Sequence, residues 1–247
     1  MSIHPTAIVE EGVTLGTGCA IHAHAIIKRG TVLGDGVAVH PFAVVGGDPN
    51  FLKFDPATVS GTRIGANTII REHVTINRSI YAGKDTVVGA RCYLMANAHV
   101  GHDCTVGDDV VLATNIMLGG HVDVGNFTFF GGGAGAHQFC RIGEGVMIAG
   151  LARITQDLAP FLLVSERNEV SGLNVVGLKR RGFSRTAIGE IKECYAAVFA
   201  GGDPRKLAAA RSATAPEARR FLEFFAGGKR GFARPGPLAT TDGGELE

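Results

Sequence analysis

Charge of one sign is missing from this sequence: 24 Lys and Arg stand against 23 Asp and Glu, for a formal charge of +1. That balance speaks against a basic nucleic-acid binder and against an acidic tail protein, and net charge points to no partner. Long apolar runs are missing too. No stretch approaches the ~20 residues needed to cross a bilayer, and MSIHPTAIVEEG holds no basic region followed by an apolar run. A cytoplasmic protein with no membrane span is therefore expected. Paired cysteines are the third absence. The 5 Cys are an odd number, and Cys19, Cys92, Cys104 and Cys140 have neither zinc-ribbon spacing nor a secretory context, so free thiols are expected.

Glycine, by contrast, is abundant at 36 residues, without a Gly-X-Y period and alongside many Val and Ile. Such a chain turns a corner often between short strands. The period confirms this reading: Ile3, Val9, Leu15, Ile21, Ile27, Leu33, Val39 and Val45 each stand six after the last. The residue two before each is small or β-branched, as in Ala7, Val13, Cys19, Ala25 and Thr31. Neither an amphipathic helix nor an alternating strand has period six. A triangular parallel β-solenoid does, with each hexad one short strand plus a corner and three hexads a coil of 18 residues. Cys19, Cys92, Cys104 and Cys140 all lie two before a hexad aliphatic and read as small buried hydrophobes.

Residues 46–62, GGDPNFLKFDPATVSGT, break the register with two Pro and read as a loop thrown out from one corner, with Phe51, Lys53 and Phe54 available to a ligand. The period resumes at Ile64, Ile70 and Ile76, pauses over Asn77 to Thr86, and runs in the same count from Val88 to Ile154, giving about eight coils. Helical signals follow. Ser184 caps a segment to about Phe199, Asp203-Pro204 opens a second helix, and a third spans Ala215 to Phe225. The domain reading is a β-solenoid over 1–165, a helical domain over 166–231, and a disordered tail over 232–247. The Gly- and Pro-rich composition behind the tail begins at Gly227.

Coil arithmetic then gathers the histidines. His121 comes 19 and His137 comes 35 after His102, so both fall within one residue of a vertical line through it. His99 lies on the same coil, and Asp103 directly follows His102. None of the four occupies a hexad aliphatic position. Two chemistries compete: a histidine with an adjacent carboxylate suits general base catalysis, and three convergent histidines suit zinc.

The motifs AHVGHDCTVG, GGHVDVG, AHQFCRIG and GLKRRGFS, in this order and leading into C-terminal helices, resemble the bacterial UDP-N-acetylglucosamine O-acyltransferase family, LpxA. The resemblance extends to about Gly231. It implies a homotrimer of left-handed parallel β-helices with a small helical domain and active sites in the clefts between subunits. The implied reaction moves an (R)-3-hydroxyacyl group from acyl carrier protein to the 3-hydroxyl of UDP-N-acetylglucosamine, the first step of lipid A synthesis. No cofactor is implied beyond the phosphopantetheine of the carrier.

By the same resemblance His102 is the general base, Asp103 orients it, and the backbone N–H of Gly120 serves the oxyanion. His99, His121, His137 and Gln138 match positions lining the substrate site. Lys53, Asn174, Arg180 and Arg181 match positions contacting substrate, the arginines suiting a diphosphate or the phosphopantetheine. Gly150 matches the position that limits the acyl groove. Lys179, Arg180, Arg181 and Arg185 form a basic surface suited to an acidic carrier protein.

This chain departs from the family in three places: a solenoid about one coil shorter at its start, Phe51 where an acidic residue is usual, and SERNEVSG ahead of Asn174. The last two would fit a changed acceptor, such as a 3-amino sugar acylated to an amide. The other readings are a zinc enzyme resembling the γ-carbonic anhydrases, a non-catalytic hexapeptide scaffold, and a coenzyme A-dependent sugar acetyltransferase.

Overall fold

The six-residue period becomes a strand and a corner in the computed structural model, which describes residues 1–236. Tyr93–Leu94, His99–Val100 and Thr105–Val106 are three successive strands of one coil, each in a different sheet. The second residue of each points inward: Leu94, Val100 and Val106 are buried. Each strand pairs in parallel with the strand 18 residues on, so that Leu94 faces Leu112, Val100 faces Leu118 and Val106 faces Val124. Three sheets of 11, 8 and 7 strands result. The first residues of the strands face outward, and a column of aliphatics fills the interior, removing apolar surface from water coil after coil.

The corners have a conformational rule of their own. Asn97, Asp103, Asp109, Asn115, His121 and Phe127 stand six apart, and all have φ between 55° and 63°. Asn, Asp and His tolerate this left-handed region best, which explains much of the corner composition. Phe127, Phe139 and Leu151 occupy the same position, where a bulky residue carries strain on the order of 1–3 kcal/mol.

Two insertions interrupt the stack without disturbing the core. Leu33 faces Ile64 and Val45 faces Ile76, each 13 residues later than an 18-residue coil would place them, which accounts for the loop at 46–62. Arg78 holds that loop, donating to Asp48 Oδ1 at 2.9 Å and to the Pro56 carbonyl at 3.0 Å, with its guanidinium over the Phe54 ring. The second insertion spans the pause after Asn77. Ile64 faces Val88 and Ile70 faces Leu94, each six residues late. Six residues are one whole repeat, so the sequence count continues through this insertion while the coil lengthens.

Beyond Ile154 the sheet continues past residue 165. Leu162–Ser165 stacks on Met147–Ile148, and Glu169–Leu173 returns antiparallel to it. Helix α1 (Val175–Arg180) follows, then α2 (Arg185–Val198), α3 (Pro204–Ala209) and α4 (Pro216–Glu223). Ser184 and Asp203 cap α2 and α3 through bonds from the Ala187 and Arg205 amides, as the sequence suggests. Glu190 of α2 accepts from the backbone N–H groups of Thr214 and Ala215, tying the start of α4 to α2.

The disorder expected from Gly227 onward does not hold for 227–236. Phe232 and Ala233 are buried, Arg234–Pro235 adds a parallel strand beside Glu169–Leu173, and Ala233 N–H donates to the Asp157 carbonyl at 2.9 Å. One aromatic residue against Phe225 outweighs the local Gly and Pro content. Residues 237–247 of the expected tail lie outside the described residues.

All five cysteines are free and buried. Burial pushes the Cys104 thiol up to about 12 and the Cys140 thiol to about 11, which suppresses the reactive thiolate. Native protein should therefore leave all five thiols unlabelled by a disulfide reagent at neutral pH, and denaturant should release all five together; rapid labelling of Cys104 in the native state would contradict its place in the core.

Candidate active site

The corner after His99–Val100 carries His102 and Asp103, and the same corner one coil on carries Gly120 and His121. His102 Nδ1 lies 2.8 Å from Asp103 Oδ2. Asp103 has φ of 59°, and its own N–H donates to Thr86 Oγ1 at 2.7 Å, which fixes the backbone at this corner. Ser79 Oγ donates to Asp103 Oδ1, and the Ile80 N–H donates to Oδ2 at 3.2 Å. Burial alone would raise this carboxyl, but the hydrogen bonds from Ser79, His102 and Ile80 outweigh it and hold Asp103 below the usual aspartate range. An ionised Asp103 fixes the Nδ1–H tautomer of His102, leaving Nε2 free to accept a proton.

Nε2 faces the corner above. A Cβ built on Gly120 would lie 2.6 Å from His102 Nε2 and 2.5 Å from Cε1. Only glycine leaves room for the imidazole. Among the described residues the Gly120 N–H has no hydrogen-bond acceptor. At one other edge of the prism the residue 18 further on supplies one, as Asp35 does for Thr17 at 2.7 Å, and Asp108 for Ala90 and Asn126 for Asp108, both at 2.8 Å, whereas the Ala96, Thr114 and Gly132 amides, like that of Gly120, have none among the described residues. Gln138 occupies that place above Gly120 and makes no such bond. An unused donor thus stands beside an oriented base, the pairing that acyl transfer to a hydroxyl requires.

The other histidines are arranged as the coil arithmetic suggests. The His102 and His121 rings meet edge-on with centroids 5.0 Å apart, and His121 stacks on Phe139 at 4.5 Å. His99 Nδ1 lies 2.7 Å from Thr75 Oγ1. Burial is the chief cause lowering both His99 and His121, and the nearby His102 lowers each further, so both favour the neutral form at neutral pH. His137 and Gln138 are exposed. With His99, His102 and Gly120 they line an open groove of about 700 Å³ whose floor is Met117 and Gly135. Asn50 reaches the same groove from the loop, and Phe51 approaches His102 with ring centroids 6.3 Å apart. Lys53 is exposed on that loop.

Three expected contacts lie elsewhere on the chain. Asn174, Arg180 and Arg181 line a separate cavity of about 210 Å³ with Asp109, Phe127 and Gly145, at a different corner of the prism. Asn174 caps α1, accepting from Gly177 N–H at 2.9 Å and donating to the Gly145 carbonyl at 3.1 Å. The Arg181 guanidinium stacks over Phe127 and Phe183, and its buried Nη1 has no partner among the described residues. That is a ready donor for an anion. Gly150 stands at the opposite edge of the sheet that carries Met117 and Gly135, on the coil above, and does not line the groove.

The zinc arrangement weighed above takes a different form. Among the described residues the group with metal-ligand spacing is His102, Asp103 and His121, whose ligand atoms lie within 4.8 Å of one another. His137 is not part of it, and the Asp103 oxygens are already taken by Ser79, Ile80 and His102. Sequence reading missed Ser79 and Tyr81 in the six-residue insertion below the site, and Thr86 in the strand Asp85–Val88 that follows it; Tyr81 lies with its ring centroid 6.0 Å from that of His121. The polar pause in the repeat was their signal.

Comparison with known proteins places these features. Residues 157–233 match the family model described as Udp N-acetylglucosamine O-acyltransferase, domain 2, and residues 85–120 match the bacterial transferase hexapeptide model. The acyl-(acyl-carrier-protein)--UDP-N-acetylglucosamine O-acyltransferase of Anaeromyxobacter sp. (strain K) is 36% identical over 95% of this chain and 100% of its own. That of Sinorhizobium fredii is 35% identical over 91% and 92%. Among solved structures, LpxA from Acinetobacter baumannii superposes with a TM-score of 0.84 at 29% identity, covering 94% of this chain and 97% of its own. LpxA from Bacteroides fragilis gives 0.84 at 30%, covering 94% and 100%. Similarity of this extent, from the first coil to the helices, makes the chain a member of the acyl-(acyl-carrier-protein)--UDP-N-acetylglucosamine O-acyltransferase family.

Proposed function

We propose that this chain transfers an (R)-3-hydroxyacyl group from the phosphopantetheine thioester of acyl carrier protein to the 3-hydroxyl of UDP-N-acetylglucosamine, with His102 as general base. The observation that carries the reading is the pairing of His102, held through Nδ1 by Asp103, with the unused N–H of Gly120 above its Nε2. As the sugar oxygen attacks the thioester carbonyl, His102 Nε2 takes the hydroxyl proton and the new C–O bond forms. The carbonyl oxygen becomes an oxyanion facing Gly120 N–H. Collapse breaks the C–S bond, and protonated His102 returns its proton to the departing thiolate. Asp103, ionised throughout, stabilises the imidazolium.

The apolar floor of the groove suits the acyl chain, and the polar rim of His99, His137 and Gln138 suits the sugar nucleotide. The cavity of Asn174, Arg180 and Arg181 would complete the site from a neighbouring subunit of a homotrimer, since a single chain holds it at another corner. Lys53 on the exposed loop would reach the same nucleotide sugar. Lys179, Arg180 and Arg185 are exposed beside it and suit the acidic carrier protein. The donor's phosphopantetheine is the one prosthetic group required. Soluble substrates favour the cytoplasm, and among the described residues no helix is long and apolar enough to cross a membrane.

The decisive assay offers UDP-N-acetylglucosamine and its 3-amino analogue to the purified protein with a ladder of (R)-3-hydroxyacyl carrier proteins, products being identified by mass spectrometry. An ester on UDP-N-acetylglucosamine is the expected product; an amide on the analogue alone would reassign the acceptor. His102→Ala should leave the oligomer intact and lower kcat by about 10²–10⁴-fold, and near-normal turnover would remove His102 as the base. Gly120→Ala should be nearly as damaging, because its Cβ would occupy the space of the imidazole; steady-state kinetics with an unchanged melting temperature would separate this from unfolding.

A further inference from the structure

The groove that begins at His102 has a far end, and the residue standing there is charged. One column of outward-facing positions runs up the sheet in register: Thr75, His99, Met117, Gly135, Arg153. Each step is one coil, about 4.8 Å. Met117 is exposed on this face, and a Cβ on Gly135 would lie 3.9 Å from Met117 Cε, so the methionine side chain lies along the space that Gly135 leaves empty. The floor is therefore apolar and smooth for two coils and then meets Arg153, which lines the same groove.

Arg153 has no structural task that explains it. Its side chain is exposed, and among the described residues its guanidinium has neither a hydrogen-bond acceptor nor a carboxylate within 4.0 Å. Its backbone alone is engaged, Arg153 N–H donating to the Glu166 carbonyl at 2.7 Å. Charge also continues beyond it: Arg167 bridges to Arg153 in the same column, and Arg230 Nε donates to the neighbouring Thr155 carbonyl at 3.3 Å. An apolar chain growing from the Gly120 level would reach the Arg153 level after two coils, about 10 Å. Methylenes added past that point would press on a guanidinium and strip its water without replacing it.

We propose that Arg153 is a specificity-determining residue that closes the distal end of the acyl groove and selects donors whose chain ends at or before the Gly135 level. The inference rests on the acyl-transfer reading above. It is distinct from any limit set by Gly150, which lies at the other edge of the sheet.

The test compares wild type, Arg153→Ala and Arg153→Lys across (R)-3-hydroxyacyl carrier proteins lengthened two carbons at a time, reading kcat/KM for each. Arg153→Ala should raise kcat/KM for the donor two carbons above the wild-type optimum by about tenfold relative to that optimum, as two newly accommodated methylenes allow. Arg153→Lys keeps a cation in place and should retain the wild-type profile. An unchanged profile in Arg153→Ala, or uniform weakening across all chain lengths, would overturn the inference while leaving the transfer reaction standing. Wild-type protein silent with every donor would bring down the transfer reaction itself, and the inference with it.

Discussion

Closure of an 18-residue coil by parallel ladder bonds is the constraint on which everything else depends. Each coil must return to a point one strand spacing above its start, which fixes where every outward side chain lies relative to those above and below. His102 can be oriented by Asp103 on its own corner and overlooked by Gly120 because residues 18 apart are vertical neighbours. The unused Gly120 amide follows from the same geometry. At Thr17, Ala90 and Asp108 a polar side chain from the next coil consumes that donor, and above Gly120 the side chain of Gln138 does not.

The corners add a cost and a use. One residue per hexad adopts a left-handed backbone, and at the site those residues are Asp103 and His121, types that bear it well. Phe127 and Phe139 bear it poorly, yet each contributes an aromatic face: Phe127 to Arg181, Phe139 to His121. At these two corners a strained backbone supplies the aromatic face on which a polar side chain stacks.

Much of this was legible in the residues. The hexad aliphatics name the buried column, and subtraction of residue numbers places His121 beside His102. What escaped was whatever breaks translation along the stack. The insertion after Asn77 is one full repeat long, so it is silent in the hexad count, and with it went Ser79 and Ile80, which hold the Asp103 carboxylate. The antiparallel return at Glu169–Leu173 and the buried Phe232 also depend on partners distant in sequence, which local composition does not reveal. Asn174, Arg180 and Arg181 were recognisable as a group from GLKRRGFS, but their placement at another corner is a property of the folded prism.

The outward column through Met117, Gly135 and Arg153 has a wider consequence. Inward residues carry the stability of the prism, and in this column the exposed side chains of Met117 and Arg153 make no hydrogen bond to it among the described residues. Substrate preference can therefore drift in steps of one coil height, by exchanging single outward residues, with the fold left untaxed. A rigid repeat turns selectivity into a matter of which rung is occupied, so this scaffold can acquire new chemistry along its walls by few and independent changes.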